Sequence, residues 1–437
     1  MKISVISLGC PKNLIDSEII LGYLTQANHT LSPDWKNSDI VVLNTCAFIK
    51  SAVREAEQWI HKALSYRKKG QIKKVIIAGC LPQRFKKTLL DKFPEVDGIV
   101  GIDNLTDIPK LCNSTTTQIK FSDSPKNLSD CTSPRLLTTN HYAYLKIADG
   151  CDNFCAYCLL PSIRGRFRSR KISDAVKEAT QLAQNGIKEL ILVAQDTTLY
   201  GKDIYNKPSL AKLLNSLVKI KNIEWIRILY THPVHWTDAL IDVYKSNPKI
   251  CRYIDLPLQH ISNNILKMMN RPYNRTIVER LLAKLRKISN LAIRTSFIVG
   301  FPNESEKNFD ELLAFIKQQR FAHLGCFTYS REAGTIAYNL PNQIPEKVKK
   351  ERYNKIMATQ QKLSLERMKS FIGKTIKVII DEKSTDKKLN YIGRTQFDAP
   401  EIDGVVFIKG TGLNISDIID VKILSAQPYN LVGKIQI

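Results

Sequence analysis

Along the first hundred residues, short continuous apolar runs alternate with stretches in which apolar residues recur every three to four positions. Ile3–Leu8, Ile40–Leu43 and Val75–Ala78 have the first pattern and predict strands covered on both faces. Residues 14–28, 48–67 and 82–92 have the second and predict helices. This alternation predicts a parallel-sheet α/β domain. From 113 to 140 the periodicity stops and Ser, Thr, Asn and Pro dominate, which predicts a linker or a long surface loop. The alternation then resumes, with candidate strands at 142–148, 188–194, 225–230, 253–257, 294–300 and 324–329 and helical stretches between them. Six β/α units predict a partial or full TIM-like (β/α) barrel. A long charged helix is predicted over about 345–370. In the tail, short runs at Lys377–Ile380, Gly404–Ile408 and Asp420–Ile423 are broken by Gly, Asn and Asp, which predicts a small antiparallel β-barrel. The expected class is α/β, divided into domains 1–117, 137–368 and 371–437.

No apolar run approaches the roughly 20 residues that cross a bilayer. The start, MKISVISLGC, lacks the long apolar region of a signal peptide and reads as a buried strand, so a cytoplasmic location is expected. The net charge of +24 suits a polyanionic setting such as RNA or the ribosome. It equally suits lysines spread over solvated faces, and charge alone leaves both readings open. Ten cysteines in a reducing compartment point to metal or redox chemistry rather than to disulfides.

The strongest chemical signal is Cys151-Asp-Asn-Phe-Cys155-Ala-Tyr-Cys158, directly after the predicted strand 142–148. Three thiolates on one tight loop can each hold one iron of a cubane cluster. The fourth iron then lacks a local protein ligand, and an open metal position is what substrate binding requires. The amino and carboxylate groups of S-adenosylmethionine fit such a position, and electron transfer into its sulfonium breaks a carbon–sulfur bond. A structural zinc knot is the competing reading. Zinc wants four closed ligands, and no second pair of cysteines or histidines lies nearby; His141 is across a predicted strand.

Cys10, Cys46 and Cys80 each follow a predicted strand, in SVISLGC, VVLNTC and VIIAGC. In a parallel sheet the C-terminal ends of the strands share one edge, where open α/β sheets place ligands. Three thiolates from three turns can therefore converge into a second site, again one ligand short. Otherwise they are buried cysteines acting as small hydrophobes. Cys112, Cys131, Cys251 and Cys326 show no such arrangement and are expected to be structural.

Over essentially its whole length the chain resembles the radical S-adenosylmethionine methylthiotransferases. It is most similar to the branch acting on an aspartate of the small-subunit ribosomal protein S-twelve. The resemblance rests on SLGCPKNLIDSE at 7–18, QDTTLYGKD at 195–203, DLPLQH at 255–260, FIVGFPNE at 297–304, GCFTYSREAGT at 325–335 and DAPEIDG at 398–404. The tRNA-modifying branch typically carries a GCQxN-type element where this chain has GCPKN. Lys171 stands where the family often has Pro.

The resemblance implies a radical SAM core followed by a C-terminal TRAM module, and two [4Fe-4S] clusters together with S-adenosylmethionine. It places the radical-SAM cluster on Cys151, Cys155 and Cys158 and the auxiliary cluster on Cys10, Cys46 and Cys80. It sets Tyr157 near the adenine, and Gln195 and the Gly300–Pro302 turn near the cofactor or substrate. The implied reaction is methylthiolation of the aspartate β-carbon, with a flavodoxin- or ferredoxin-like electron donor as a second partner. A tRNA adenosine methylthiotransferase is the alternative within the family, and a zinc-stabilised RNA-binding protein the alternative outside it.

Residues 371–437 hold nine Lys or Arg and eight Asp or Glu, a net of 9 − 8 = +1. A module built to grip phosphates is strongly basic, so the tail is expected to favour a protein target. Asp398, Glu401 and Asp403 are expected either to face a Lys/Arg-rich ribosomal protein or to form a solvated acidic turn.

Overall fold

The computed structural model describes residues 1–386 and 388–436. Lys387 and Ile437, both in the predicted C-terminal module, lie outside the described residues. The first sheet holds β1 (Lys2–Ser7), β2 (Thr30–Leu31), β3 (Ile40–Thr45), β4 (Lys74–Gly79), β5 (Gly98–Val100) and β6 (Gln118–Lys120), in the order β2-β1-β3-β4-β5-β6. Every pair is parallel. β3 is buried along its whole length and β4 at all but its first residue, so neither shows alternation. Three strands were legible as apolar runs. β2, β5 and β6 have two or three residues each, too short to give a pattern.

The helix expected over 82–92 is two helices, Cys80–Phe85 and Thr88–Lys92, parted at Lys86, whose φ is +51°. The stretch 113–140 is not a free linker. Arg135 donates to Glu18 and pairs with Glu178, while Thr138 donates from its backbone and hydroxyl to Glu18. Glu18 is a buried carboxylate, and this strap satisfies it.

The middle of the chain forms two parallel three-stranded sheets. β7 (Tyr142–Lys146), β10 (Glu189–Val193) and β11 (Trp225–Ile228) make one; β12 (Tyr253–Asp255), β13 (Ala292–Val299) and β14 (His323–Thr328) make the other. Hydrogen bonds between the β11 and β12 regions join them into an open six-stranded barrel. Two short antiparallel segments, β8 (Ala148–Asp149) and β9 (Arg168–Ser169), clasp the base of the loop between them.

Alternate barrel residues take opposite sides. Leu145, Leu190, Leu192, Ile226, Ile228 and Ile254 pack on the surrounding helices. Tyr142, Tyr144, Ile191, Val193, Trp225 and Tyr253 form a separate core with Ile15 and Ile19 of the helix Pro11–Gln26 and Ile379 and Ala399 of the C-terminal module. The barrel interior is thus filled by parts of both other domains.

The tail closes into a barrel of β15 (Thr375–Lys383), β16 (Tyr391–Thr395), β17 (Val406–Lys409), β18 (Ile418–Ala426) and β19 (Leu431–Ile435), in the order β15-β16-β17-β19-β18. It is not antiparallel throughout: β17 and β19 run parallel, which closes the ring with five strands. The acidic turn is also not a solvated surface. Asp403 accepts from Tyr253 at 2.7 Å and Arg294 at 3.3 Å, and Asp398 accepts from Thr395 and lies 3.5 Å from His323. Their side chains are 2% and 9% exposed, and only Glu401 is open to solvent. They are struts under the barrel, because a buried carboxylate needs donors and the strand starts supply them.

Candidate active site

The strand register brings the first three cysteines to one edge. Ser7 lies opposite Asn44, and Asn44 opposite Ala78, so β1, β3 and β4 end level. Cys10 caps the helix Pro11–Gln26, where Pro11 needs no N–H partner. Cys80 opens its helix after Gly79, whose φ of +93° leaves a Cβ no room: it would lie 2.3 Å from Asn44 Oδ1. Gly9 is nearly as tight on the sulfur side, since a Cβ there would lie 2.5 Å from Cys46 Cβ and 3.2 Å from its Sγ. Asn13 ties the turns together by donating to Leu8 O and Thr45 O at 3.0 and 2.9 Å.

Burial dominates the thiol electrostatics. It pushes Cys80 up to about 12 and raises Cys46. Burial also opposes ionisation of Cys10, but Lys12 and Arg164 outweigh it and hold that thiol below its ordinary range. Cys10, Cys46 and Cys80 feel one another's charge, as neighbours in one pocket do.

The second trio sits on the loop after β8. Gly150 has φ +78°, and a Cβ there would meet Arg166 O at 2.0 Å, so the loop turns where a side chain cannot fit. The backbone N–H groups of Asn153 and Leu160 approach Cys151 Sγ and Cys158 Sγ at 3.5 and 3.4 Å, and Arg271 Nη1 lies 3.2 Å from Cys155 Sγ. Burial raises Cys158 and pushes Cys151 up to about 11. Tyr157 is partly buried between this loop and a small core containing Ala156, Met269, Phe301 and Tyr329.

One buried polar network joins the two trios. Arg164 donates to Asn13 Oδ1 at 2.8 Å, Asp16 Oδ2 at 2.9 Å and Asp149 Oδ2 at 2.9 Å, and its Nη2 lies 3.5 Å from Cys80 Sγ. Lys146 pairs with Asp16 and lies 3.7 Å from Asp149. Gln195 donates to Asp149 at 2.7 Å, while its buried Oε1 has no hydrogen-bond partner among the described residues. The Gly300–Pro302 turn is held by Glu304, which accepts from the N–H groups of Gly300 and Phe301.

Among the described residues, Asp196, His232 and His235 are the one set of three potential metal ligands whose ligand atoms fall within 4.8 Å of one another. In neither cysteine trio do all three sulfurs lie within that distance of one another, as the ~2.3 Å bonds of a single tetrahedral zinc would require. Three cysteines on separate irons of a cubane need that wider spacing, and N–H donors aimed at the sulfurs suit thiolate ligands. Both donor sets fit a [4Fe-4S] cluster. Asp196 itself already accepts from Asn153, Thr198, Leu199 N and His235, so it anchors the cysteine loop rather than offering free lone pairs.

The N-terminal segment, residues 2–101, matches the uncharacterized protein family UPF0004; residues 145–316 match the radical SAM superfamily and residues 372–435 the TRAM domain. The ribosomal protein uS12 methylthiotransferase RimO of Desulforamulus reducens is 45% identical over 99% of both chains. Its counterparts from Pelotomaculum thermopropionicum and Geobacter sulfurreducens are 44% and 42% identical over 99% of this chain and 99% and 98% of theirs. The chain belongs to the RimO methylthiotransferase family. Its fold is shared with the radical S-adenosylmethionine methyltransferase TsrM of Kitasatospora setae, solved with tryptophan and a SAM analogue (TM-score 0.56, 13% identity, 82% of this chain and 89% of that one). It is shared too with the same enzyme holding cobalamin and a [4Fe-4S] cluster (TM-score 0.55, 13% identity, 75% and 71%).

In this RimO-family chain Cys10, Cys46 and Cys80 end three neighbouring strands and Cys151, Cys155 and Cys158 share one loop, as the strand pattern led one to expect; the side chains around them were not foreseen. Lys12, Asn13 and Arg164 stand around the first trio and Arg271 beside the second. The alternating arginines of RGRFRSR, just after the cysteine loop, were a signal for Arg164. Nothing near Arg271 in sequence announces its role, since it comes from 116 residues away. Among the described residues, no helix is long and apolar enough to cross a membrane.

Proposed function

We propose that this chain methylthiolates the β-carbon of an aspartate in ribosomal protein uS12, with the chain divided as 1–117, 137–368 and 371–437. What carries the reading is the meeting of two cysteine trios, from two domains, across the single network of Arg164, Asp16 and Asp149. Cys151, Cys155 and Cys158 would hold one [4Fe-4S] cluster, and Cys10, Cys46 and Cys80 a second. With S-adenosylmethionine bound, these groups would supply the radical chemistry and the sulfur and methyl transfer that the reaction needs.

The rest of the work falls to the protein. Arg164 and Asp149 fix the distance between the trios, which is what a transfer between them needs. Asp196 pins Asn153, and thus the Cys151 loop, to the barrel mouth. Cys80 and Cys151 are buried and the other four cysteines half-buried, which limits the access of water to both sites. Tyr157, next to Cys158 and packed on the small core with Ala156 and Phe301, would cover the adenine, and Gln195, bonded to Asp149, would line the cofactor or substrate site. A flavodoxin- or ferredoxin-like protein of the cytoplasm is the fitting reductant.

The reading is tested by iron and sulfide analysis after anaerobic reconstitution, followed by mass spectrometry of uS12 and of bulk tRNA incubated with the loaded enzyme. About eight irons per chain and a methylthio group on uS12 are expected. About four irons would remove the two-cluster reading, and modified tRNA with unmodified uS12 would replace the substrate.

A further inference from the structure

Three lysines are buried among the described residues: Lys12, Lys146 and Lys349. Lys146 pairs with Asp16 and Lys349 with Glu346. Lys12, 5% exposed, differs. Its ammonium lies 3.5 Å from Ala194 O and 3.7 Å from the centre of the Tyr230 ring, and among the described residues it has no carboxylate partner. A buried cation without a carboxylate beside it is costly, and a ring face, one long carbonyl contact and the nearby Cys10 thiol offset that only in part. Such a charge marks a place where an anion is meant to sit.

Its location says which anion. Lys12 lies two residues from Cys10, yet its tip reaches the far side of the gap, where Ala194 follows β10 and Tyr230 follows β11 at the C-terminal mouth of the barrel. Gln195, next to Ala194, adds a buried Oε1 that has no hydrogen-bond partner among the described residues, and it is bonded to Asp149, two residues before Cys151. The ammonium therefore lies against the barrel mouth, beside the residue that is bonded to the start of the Cys151 loop. Arg164 already serves the sulfur side, at Cys80. An aspartate side chain entering this gap brings a carboxylate one bond from its β-carbon. Holding that carboxylate fixes the carbon that must react.

We infer that Lys12 is the residue that recognises the carboxylate of the substrate aspartate, and so sets the enzyme's preference for aspartate over a neutral side chain. The inference rests on the methylthiotransferase reading above. A site built around a buried cation rejects the isosteric amide, because the charge is then left unpaired.

The test compares wild type, Lys12→Met and Lys12→Arg, each reconstituted, on full-length uS12 carrying Asp or Asn at the modified position. Equilibrium binding in the presence of S-adenosylmethionine and kcat/KM are both read. Wild type is expected to favour Asp over Asn by roughly ten- to a hundredfold in binding. In Lys12→Met that ratio falls to about one through loss on Asp alone, and Lys12→Arg recovers part of it. The midpoint potential of the auxiliary cluster is measured on the same samples. If Lys12→Met keeps the wild-type Asp/Asn ratio, the inference is overturned; a shifted potential in that case assigns the charge to the cluster instead. Failure of wild type to modify the Asp protein at all would instead remove the proposed function.

Discussion

Replacing Glu189 by Gln should loosen the C-terminal module from the barrel while leaving shape almost unchanged. Glu189 pairs with Arg227 at 2.7 Å and with Arg394 at 2.9 Å, and all three side chains are at most 2% exposed. Arg394 keeps Asp381, at 2.7 Å, when Glu189 is neutralised. Arg227 keeps the carbonyls of Gln396 and Thr395 and the face of the Tyr253 ring, none of which carries a negative charge. Its guanidinium then stands buried and uncompensated beside a second one, which costs about 3–5 kcal/mol. Hydrogen exchange reads the loss at the segments that the pair holds. Hydrogen exchange at the amides of β16 and of the turn 395–403 should accelerate roughly a hundred- to a few-thousandfold. Adding Arg227→Met to Glu189→Gln should recover part of the protection, because the orphaned charge leaves with its side chain. Acceleration below about tenfold, or an effect abolished by 1 M salt, which screens exposed pairs and not buried ones, would refute the reasoning.

Asp196→Asn should lose the acid limb of stability at the barrel mouth. Burial raises the Asp196 carboxyl, but the bond from His235 and its other donors bring it down to about 2, against an ordinary 3.8. The ionised form therefore stabilises the fold above pH 3.8, and this contribution, about 2 kcal/mol, is lost as pH falls through 2; in urea titrations at a series of acid pH values the wild-type advantage should shrink accordingly. Gly150→Ala should displace the loop of Cys151, since its Cβ would lie 2.0 Å from Arg166 O, and bound iron should fall by about half with the auxiliary set intact. Arg164→Met leaves Asp16 and Asp149 to share Lys146 and removes a donor beside Cys80. It should cost about 3–5 kcal/mol in a urea melt. It should also lower the midpoint potential of the auxiliary cluster in a redox titration monitored by electron paramagnetic resonance.

The architecture was written in local periodicity. Apolar runs marked β1, β3 and β4 and the six barrel strands, because strands buried on both faces lose their polar positions and stand out from the helices around them. The cysteines were legible for a related reason: a residue directly after a buried strand lies at the sheet's C-terminal edge, wherever the rest of the chain goes. What lay beyond sequence was every property set by contacts between distant segments. Asp398 and Asp403 read as an acidic turn facing outward, yet the tertiary fold buries them against Arg294, Tyr253 and His323, more than a hundred residues away in Tyr253 and Arg294. The Ser/Thr-rich stretch read as a linker, yet Glu18 draws Arg135 and Thr138 into a strap. Lys12 read as one more charge among sixty-five. Only when the N-terminal helix meets the barrel mouth does it become a buried cation with no carboxylate partner among the described residues, because burial is decided by packing between domains and no short-range pattern encodes it.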